Sequence, residues 1–170
     1  RLAPFGKRFR AFQTNFRAIA SVLQQANERE PSGVLVDLGV SSLQFDSPER
    51  GFSFRFDAPL DMRMDPATAA TAADLLQQLP ESEIARIIFE FGEERHSRRI
   101  ARRIVERREQ GMPVTTTTEL AELVRAAAGG HKRNQIHPAT RTFQALRIAV
   151  NRELEGLGEF VETAVDLLIP

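Results

Sequence analysis

Beyond residue 70 the hydrophobic spacing is helical almost without a break, and that leaves few folds open. Apolar positions recurring at three- and four-residue intervals predict helices over 71–79, 81–92, 94–109, 117–128, 139–157 and 159–168. Their ends are punctuated. Ser82 opens and Gly92 closes the second, and Gly129-Gly130 ends the fourth. Thr116 to Glu119 reads as a capping box ahead of Leu120, Leu123 and Val124.

The first 44 residues follow a different pattern. Phe9 to Phe12 is short and apolar enough for a strand. Asn15 is a plausible N-cap, after which Phe16, Ile19, Ala20 and Leu23 share one helix face running to about Asn27. The loop from Glu28 to Gly33 leads into Val34-Leu35-Val36, a continuous apolar run ending in Asp37, Leu38 and Gly39. A strand buried on both faces of a parallel sheet has this composition. Strand, helix and strand make a βαβ unit, so the expected class is α/β, part of a sheet with a helical module attached. From Ser41 to about Pro66 no period holds. Phe45, Phe52, Phe54 and Phe56 alternate with polar residues, Pro and Gly over a stretch long enough to suggest a functional loop.

Composition excludes several functions. With 170 residues and 42% hydrophobic content the chain supports a core of its own. Burial of roughly 70% of the unfolded surface needs no metal or disulfide. The absence of cysteine rules out disulfide scaffolds, thiol catalysis and Cys-built zinc sites. His96, His131 and His137 are scattered, so no metal site is expected, and His131 and His137 read as surface or capping residues. No apolar run reaches the roughly 20 residues of a membrane span. These features suggest a soluble, cytoplasmic protein. Arg1 in place of an initiator Met, and a helix pattern running into Pro170, suggest an internal piece of a longer one.

Net charge is zero, with 23 basic and 23 acidic residues, yet the charges are segregated. The first 27 residues hold five basic side chains and no acid; residues 95–108 hold seven arginines against Glu106; residues 131–152 hold Lys132, Arg133, Arg141, Arg147 and Arg152 with no acid. Such segregation creates local fields that suit a polyanion.

Particular residues carry the chemistry. Ligands of open parallel sheets bind beyond the strand ends, where Asp37 and the Gly39–Ser42 turn, including Ser41 and Ser42, are expected. The other reading of Asp37 is a cap of the next turn. Phe16 could stack on a flat ring or be the first core residue of its helix. Arg95, Arg99, Arg103 and Arg107 recur at four-residue spacing, a stack of guanidiniums matched to phosphates. Glu90, Glu93 and Glu94 could instead make it a merely solvated face. Pro138 suits the first helical position, so Thr140, Arg141 and Gln144 would present donors near a helix N-terminus, while Phe143, Leu146 and Val150 form core.

Five runs carry a resemblance: Gly33-Val-Leu-Val-Asp-Leu-Gly-Val-Ser-Ser42, Glu49-Arg-Gly-Phe-Ser-Phe54, Pro59-Leu-Asp-Met-Arg-Met-Asp-Pro66, Phe91-Gly-Glu-Glu-Arg95 and His137-Pro-Ala-Thr-Arg-Thr-Phe-Gln-Ala-Leu-Arg147. In this order they resemble the bacterial ribosomal RNA small-subunit methyltransferase H family, MraW type, across essentially the whole chain. Leu43 departs from the Pro usual there, which should loosen that turn slightly. The resemblance implies methylation of N4 of a cytidine in the decoding region of small-subunit ribosomal RNA, with S-adenosylmethionine as donor. The implied fold is a partial Rossmann-like methyltransferase sheet with a helical insertion domain. Residues 1–44 belong to the methyltransferase domain, 45–139 to the RNA-recognition insert, and 140–170 to helices that return. The family's Gly-rich cofactor loop would precede Arg1, and its closing strands would follow Pro170.

By the same resemblance Phe16 lines the adenine side of the cofactor, and Asp37 and Gln44 lie near the transfer centre. Arg95, Arg99, Arg103, Arg141 and Arg147 meet the RNA. The partner is small-subunit ribosomal RNA or the assembled subunit, without membrane or metal, and homodimerisation is left open. Asp37 or the Ser41/Ser42 turn would accept a hydrogen bond from the amine. Phe52, Phe54 and Phe56 hold the unstacked base or form a small core under their loop. A non-catalytic basic module binding RNA or protein is the alternative; a methyltransferase of DNA or protein would lack the His137–Arg147 run.

Overall fold

The computed structural model of the chain describes residues 3–67, 70–130 and 137–168. Among the described residues there are eight α-helices: α1 (Ile19–Ala26), α2 (Ser42–Phe45), α3 (Ala72–Gln78), α4 (Glu81–Gly92), α5 (Ser97–Glu109), α6 (Thr117–Ala127), α7 (Ala139–Asn151) and α8 (Leu157–Leu167). Two compact units divide them: residues 39–153, and residues 1–38 with 154–170. The expected divisions at 44/45 and 139/140 lie inside the larger unit. The Gln44 amide donates to the Met64 carbonyl across the first, and α7 packs on α4 across the second.

The larger unit is a helical cluster about α4 and α7, with α5, α6 and α3 against them. Leu60, Met62, Ile84, Ile88, Ile100, Ile104, Leu120, Val124 and Leu146 are the large apolar side chains fully buried in it. The close crossing of α4 and α7 requires Gly92. A Cβ there would lie 2.4 Å from the Arg141 carbonyl oxygen and 3.1 Å from Cβ of Ala145. The capping boxes are local chemistry made visible. Thr116 accepts from the Glu119 N–H (3.3 Å), and Glu119 accepts from the Thr116 N–H (3.2 Å). Thr71 and Asp74 do the same for α3, a signal of the same kind at its start.

Two expected helices are shorter than their periods. The 94–109 helix starts at Ser97, because Glu93 turns left-handed (φ 51°) and the buried Glu94 carboxylate accepts from the His96 N–H at 2.8 Å. The 139–157 helix stops at Asn151. Arg152 turns left-handed (φ 49°), and the Glu153 carboxylate then folds back onto Arg147. Pro138 is the residue before the first helical position of α7, one place earlier than expected.

In the smaller unit Asn15 caps a 3₁₀ turn (Phe16–Ala18), its side chain accepting from the Arg17 N–H at 3.0 Å, and α1 follows. Arg10 donates to the Ala26 carbonyl at the end of α1 and pairs with Glu28 at 2.6 Å. Helix α8 packs on α1, and the Phe16 ring meets Phe160 edge-on at 5.1 Å.

The expected sheet is not seen in the described part of the chain. No strand forms among the described residues, and an isolated antiparallel bridge joins Pro59 to Thr116. Phe9–Phe12 is irregular, and Val34-Leu35-Val36 is irregular rather than a buried strand, with Leu35 98% exposed. A strand exists only when a neighbour takes its N–H and C=O groups, and among the described residues none forms a β-bridge with this run. The expectations for His131, Lys132 and Arg133, and for the side chains of Ser42 and Leu43, lie outside the described residues. Among the described residues no helix is long and apolar enough to cross a membrane, and no cluster of three metal-ligating side chains occurs.

Candidate functional site

The loop from Gly51 to Pro66, without a period of its own, is sewn into the helical cluster by specific donors. Gly51 adopts φ +69°, and a Cβ on it would lie 2.4 Å from the Pro59 carbonyl oxygen, so two segments of the loop pass in contact there. The Thr117 hydroxyl donates to the Phe56 carbonyl (2.7 Å) and accepts from the Ala58 N–H (3.1 Å), tying the loop to the start of α6. At its other end Met62 sits left-handed (φ 63°) and wholly buried. Asn151 of α7 holds this turn, donating to the Met62 carbonyl (2.7 Å) and accepting from the Met64 N–H (2.6 Å). Arg50 donates to the Arg63 and Met64 carbonyls at 2.5 and 2.9 Å. The loop is thereby rigid at both ends.

Rigid ends fix what lies between them. Val40, Phe45, Phe52, Phe54, Phe143 and Arg147 line a cleft of about 400 Å³, with Ser53, Arg55, Thr140 and Gln144 at its polar edge. The size is that of a small-ligand site, largely apolar with a few polar groups. Phe54 stands between the His137 ring (4.9 Å) and the Phe143 ring (5.0 Å). Thr140, Gln144 and Arg147 come from one face of α7, at the spacing of successive turns. Arg147 is held bidentately by Glu153, at 2.8 and 3.1 Å, with both side chains largely buried. The position a Cβ would take on Gly39 is 3.9 Å from that guanidinium. A half-buried guanidinium beside aromatic faces suits a flat, electron-rich ring or an anion.

Electrostatics stiffens the surroundings. The Arg63 guanidinium grips both oxygens of Asp61 at 2.8 Å and holds that carboxyl below the usual range. The Thr116 hydroxyl does the same to Asp57, followed by that of Thr118.

The structure gathers some expected site residues and separates others. Ser41 and Gln44 are together: the Gln44 side-chain oxygen accepts from the Ser41 N–H (3.0 Å) and hydroxyl (3.2 Å), and its amide reaches the Met64 carbonyl at 3.5 Å. Arg147 lines the cleft. Arg141 lies off the cleft-lining face of α7, its guanidinium 3.4 Å from the Glu93 carbonyl. Of the arginine stack, Arg99 donates to the Ala127 carbonyl at the end of α6, and Arg107 to Met112 and Glu119. Arg95 and Arg103 are exposed and make no ion pair among the described residues. Phe56 is 57% exposed and is not among the cleft-lining residues. Asp37 and Phe16 belong to the other unit. There Asp37 is exposed, and Phe16, with Phe12, Thr14, Asn15, Ile19 and Val34, lines a shallow slot of about 270 Å³. Sequence reading missed Arg50, Thr117 and Asn151. Their signal is tertiary: each satisfies backbone groups far along the chain.

Comparison with known proteins gives a consistent result. The sequence matches the MraW methylase family over residues 1–170. It is 52% identical over 170 residues to the ribosomal RNA small subunit methyltransferase H of Carboxydothermus hydrogenoformans, covering 100% of this chain and 54% of that protein. For the proteins of the same name from Gloeobacter violaceus and Geobacter sulfurreducens the identities are 53% and 52% over 171 residues, covering 100% of this chain and 51% and 55% of theirs. The chain thus spans about half the length of the curated relatives it matches.

Proposed function

The chain belongs to the MraW methylase family, and from that premise we propose that the protein containing it transfers a methyl group from S-adenosylmethionine to N4 of a cytidine in the decoding region of small-subunit ribosomal RNA. The observation that carries this reading is the cleft, where the Phe52–Phe54 run of the loop and the Thr140–Arg147 face of α7 converge on a volume suited to one extruded base. The names of the relatives agree with ribosomal RNA as substrate.

The residues present fit part of the cofactor. The slot beside Phe16, walled by Phe12, Ile19 and Val34 with Thr14 and Asn15 at its polar rim, accepts a purine ring but is too small for the whole molecule. Phe16 would hold the adenine; the family resemblance gives Asp37 of the same unit, and Gln44 of the larger unit, roles near the transfer centre. When bound, S-adenosylmethionine supplies a methyl group already activated by its sulfonium sulfur.

Cytosine N4 is a poor nucleophile, because its lone pair is delocalised into the ring. A hydrogen-bond acceptor on its N–H raises charge on nitrogen as the N–C bond forms; a carboxylate in that position also takes up the proton that N4 loses, whereas behind a neutral acceptor the proton passes to solvent. The Asp37 carboxylate or the Ser41-Ser42 turn fills this role. Oriented groups of this kind contribute about 10²–10³ in rate. Phe52, Phe54 and Phe143 exclude water and orient the ring, Arg147 steadies it, and the basic face of α5 draws the RNA backbone.

The test uses the full-length protein with small ribosomal subunits and labelled donor. Nucleoside mass spectrometry should find N4-methylcytidine, and Asp37→Ala should lose about 10² in turnover while keeping its fold. Methylation at another atom, or none, would overturn the assignment. Near-normal turnover of the variant would remove Asp37 from the mechanism and leave the hydrogen-bond acceptor to the serine turn, with the proton released to solvent.

A further inference from the structure

Helix α4 buries Ile84, Ile87, Ile88 and Gly92, and its apolar period needs no more. Phe89 nonetheless points away from that core and is 59% exposed. It lies in a groove of about 780 Å³ between α4 and the start of α5, with Ser82 and Arg86 on one wall and Arg95 and Arg98 on the other. This groove shares no lining residue with the aromatic cleft.

The charges are unequally committed. Arg86 is satisfied by its own helix, at 2.7 Å from Glu83 and 2.8 Å from Glu90, so it forms wall. Arg95 and Arg98 are exposed and make no ion pair among the described residues, and Glu81 is the acid that lines the groove with them. From Arg98 the exposed face of α5 continues through Arg99, Arg102 and Arg103. A single exposed ring facing two guanidiniums outside any ion pair, and opening onto a basic helix face, is the arrangement that grips single-stranded nucleic acid: the ring stacks on a base and the cations take its phosphates. A folded protein partner would require more apolar enclosure than Phe89 and Ala85 provide.

Resting on the reading of the parent protein as an RNA methyltransferase, we propose that the α4/α5 groove is a second nucleotide-binding site, in which an unpaired base of the substrate RNA stacks on Phe89 with its phosphates on Arg95 and Arg98, away from the base that reacts. Its effect is on capture of the RNA, so it belongs to KM and leaves the transfer step alone.

The experiment uses the full-length protein and small-subunit ribosomal RNA in three variants. Phe89→Leu keeps apolar area and helix propensity but removes the ring; KM for RNA should rise about tenfold at unchanged kcat. Phe89→Trp restores a stacking face and should hold KM at or below that of the unmodified protein. Arg95→Ala with Arg98→Ala should flatten the logarithmic salt dependence of binding by about 1.4, or about 0.7 for each phosphate that is no longer neutralised. Equal KM in the Leu and unmodified proteins overturns the site, as does a Trp variant as weak as Leu or an unchanged salt slope in the double variant. If the unmodified protein methylates RNA, these outcomes fall on the groove alone; if it neither binds nor methylates RNA, the functional reading falls first and this site with it.

Discussion

In the larger unit the apolar positions of α4, α5, α6 and α7 find one another, and side chains such as Ile88, Ile100 and Val124 reach zero exposure. In the smaller unit only Phe160 and Ala164 are buried among the described residues, while Phe5, Phe9, Phe12, Leu35, Val36 and Leu38 face outward. Both units carry hydrophobic sequence. The difference is that a helix satisfies its own backbone and needs only a neighbour for one face, whereas a β-type run needs neighbours for its hydrogen bonds before it can be buried at all. The larger unit supplies a packing neighbour for one face of each of these four helices. Among the described residues the smaller one does not supply strand neighbours to Val34–Val36.

The contrast can be broken hardest at Gly92. Gly92→Val must push α4 from α7 and should cost about 3 kcal/mol or more, read as collapse of hydrogen-exchange protection across the larger unit. Gly158→Ala in the smaller unit meets nothing within 4 Å and should gain up to about 1 kcal/mol from helix propensity alone. Asn151→Ala comes next. It leaves the Met62 carbonyl and Met64 N–H without their side-chain partner and should cost about 1–3 kcal/mol, with new exchange in 60–66.

The pH dependence sharpens the comparison at intermediate effect. The Arg63 guanidinium lowers Asp61, the Thr71 N–H lowers Asp74 and the Thr115 N–H lowers Glu119, so each folded pKa lies below its unfolded value. Their stabilisation is complete above about pH 4–5 and is lost as pH falls through the depressed values. A urea midpoint for the larger unit that did not fall between pH 6 and pH 3 would contradict those contacts. The smallest effect belongs to Leu35→Lys. At 98% exposure it should change stability by no more than about 0.5 kcal/mol in a thermal melt of this chain; a larger loss would mean the run is buried.

The helices were legible because their signals are local. Asn15, the Thr116–Glu119 box and the apolar face of α4 each act within a turn or two, and the structure keeps all three. The helix ends after Asn151 and before Ser97 were not legible, because Glu153 and Glu94 set them through side-chain contacts that periodicity does not encode. The site was half legible. Phe52, Phe54, Thr140, Gln144 and Arg147 stand out as residue types, but that Arg147 lines the cleft while Arg141 and Arg99 reach carbonyls outside it is decided by neighbours.

The amino-acid order alone thus determined which segments become helices, which of their faces are apolar, and where positive charge is concentrated, since each depends on spacings of a few residues. Only the tertiary structure decided that a loop without a period becomes a rigid wall. The Thr117 hydroxyl and the Asn151 amide satisfy its backbone from 61 and 87 positions away, and hydrogen bonds over such separations exist only once the helices carrying them have packed.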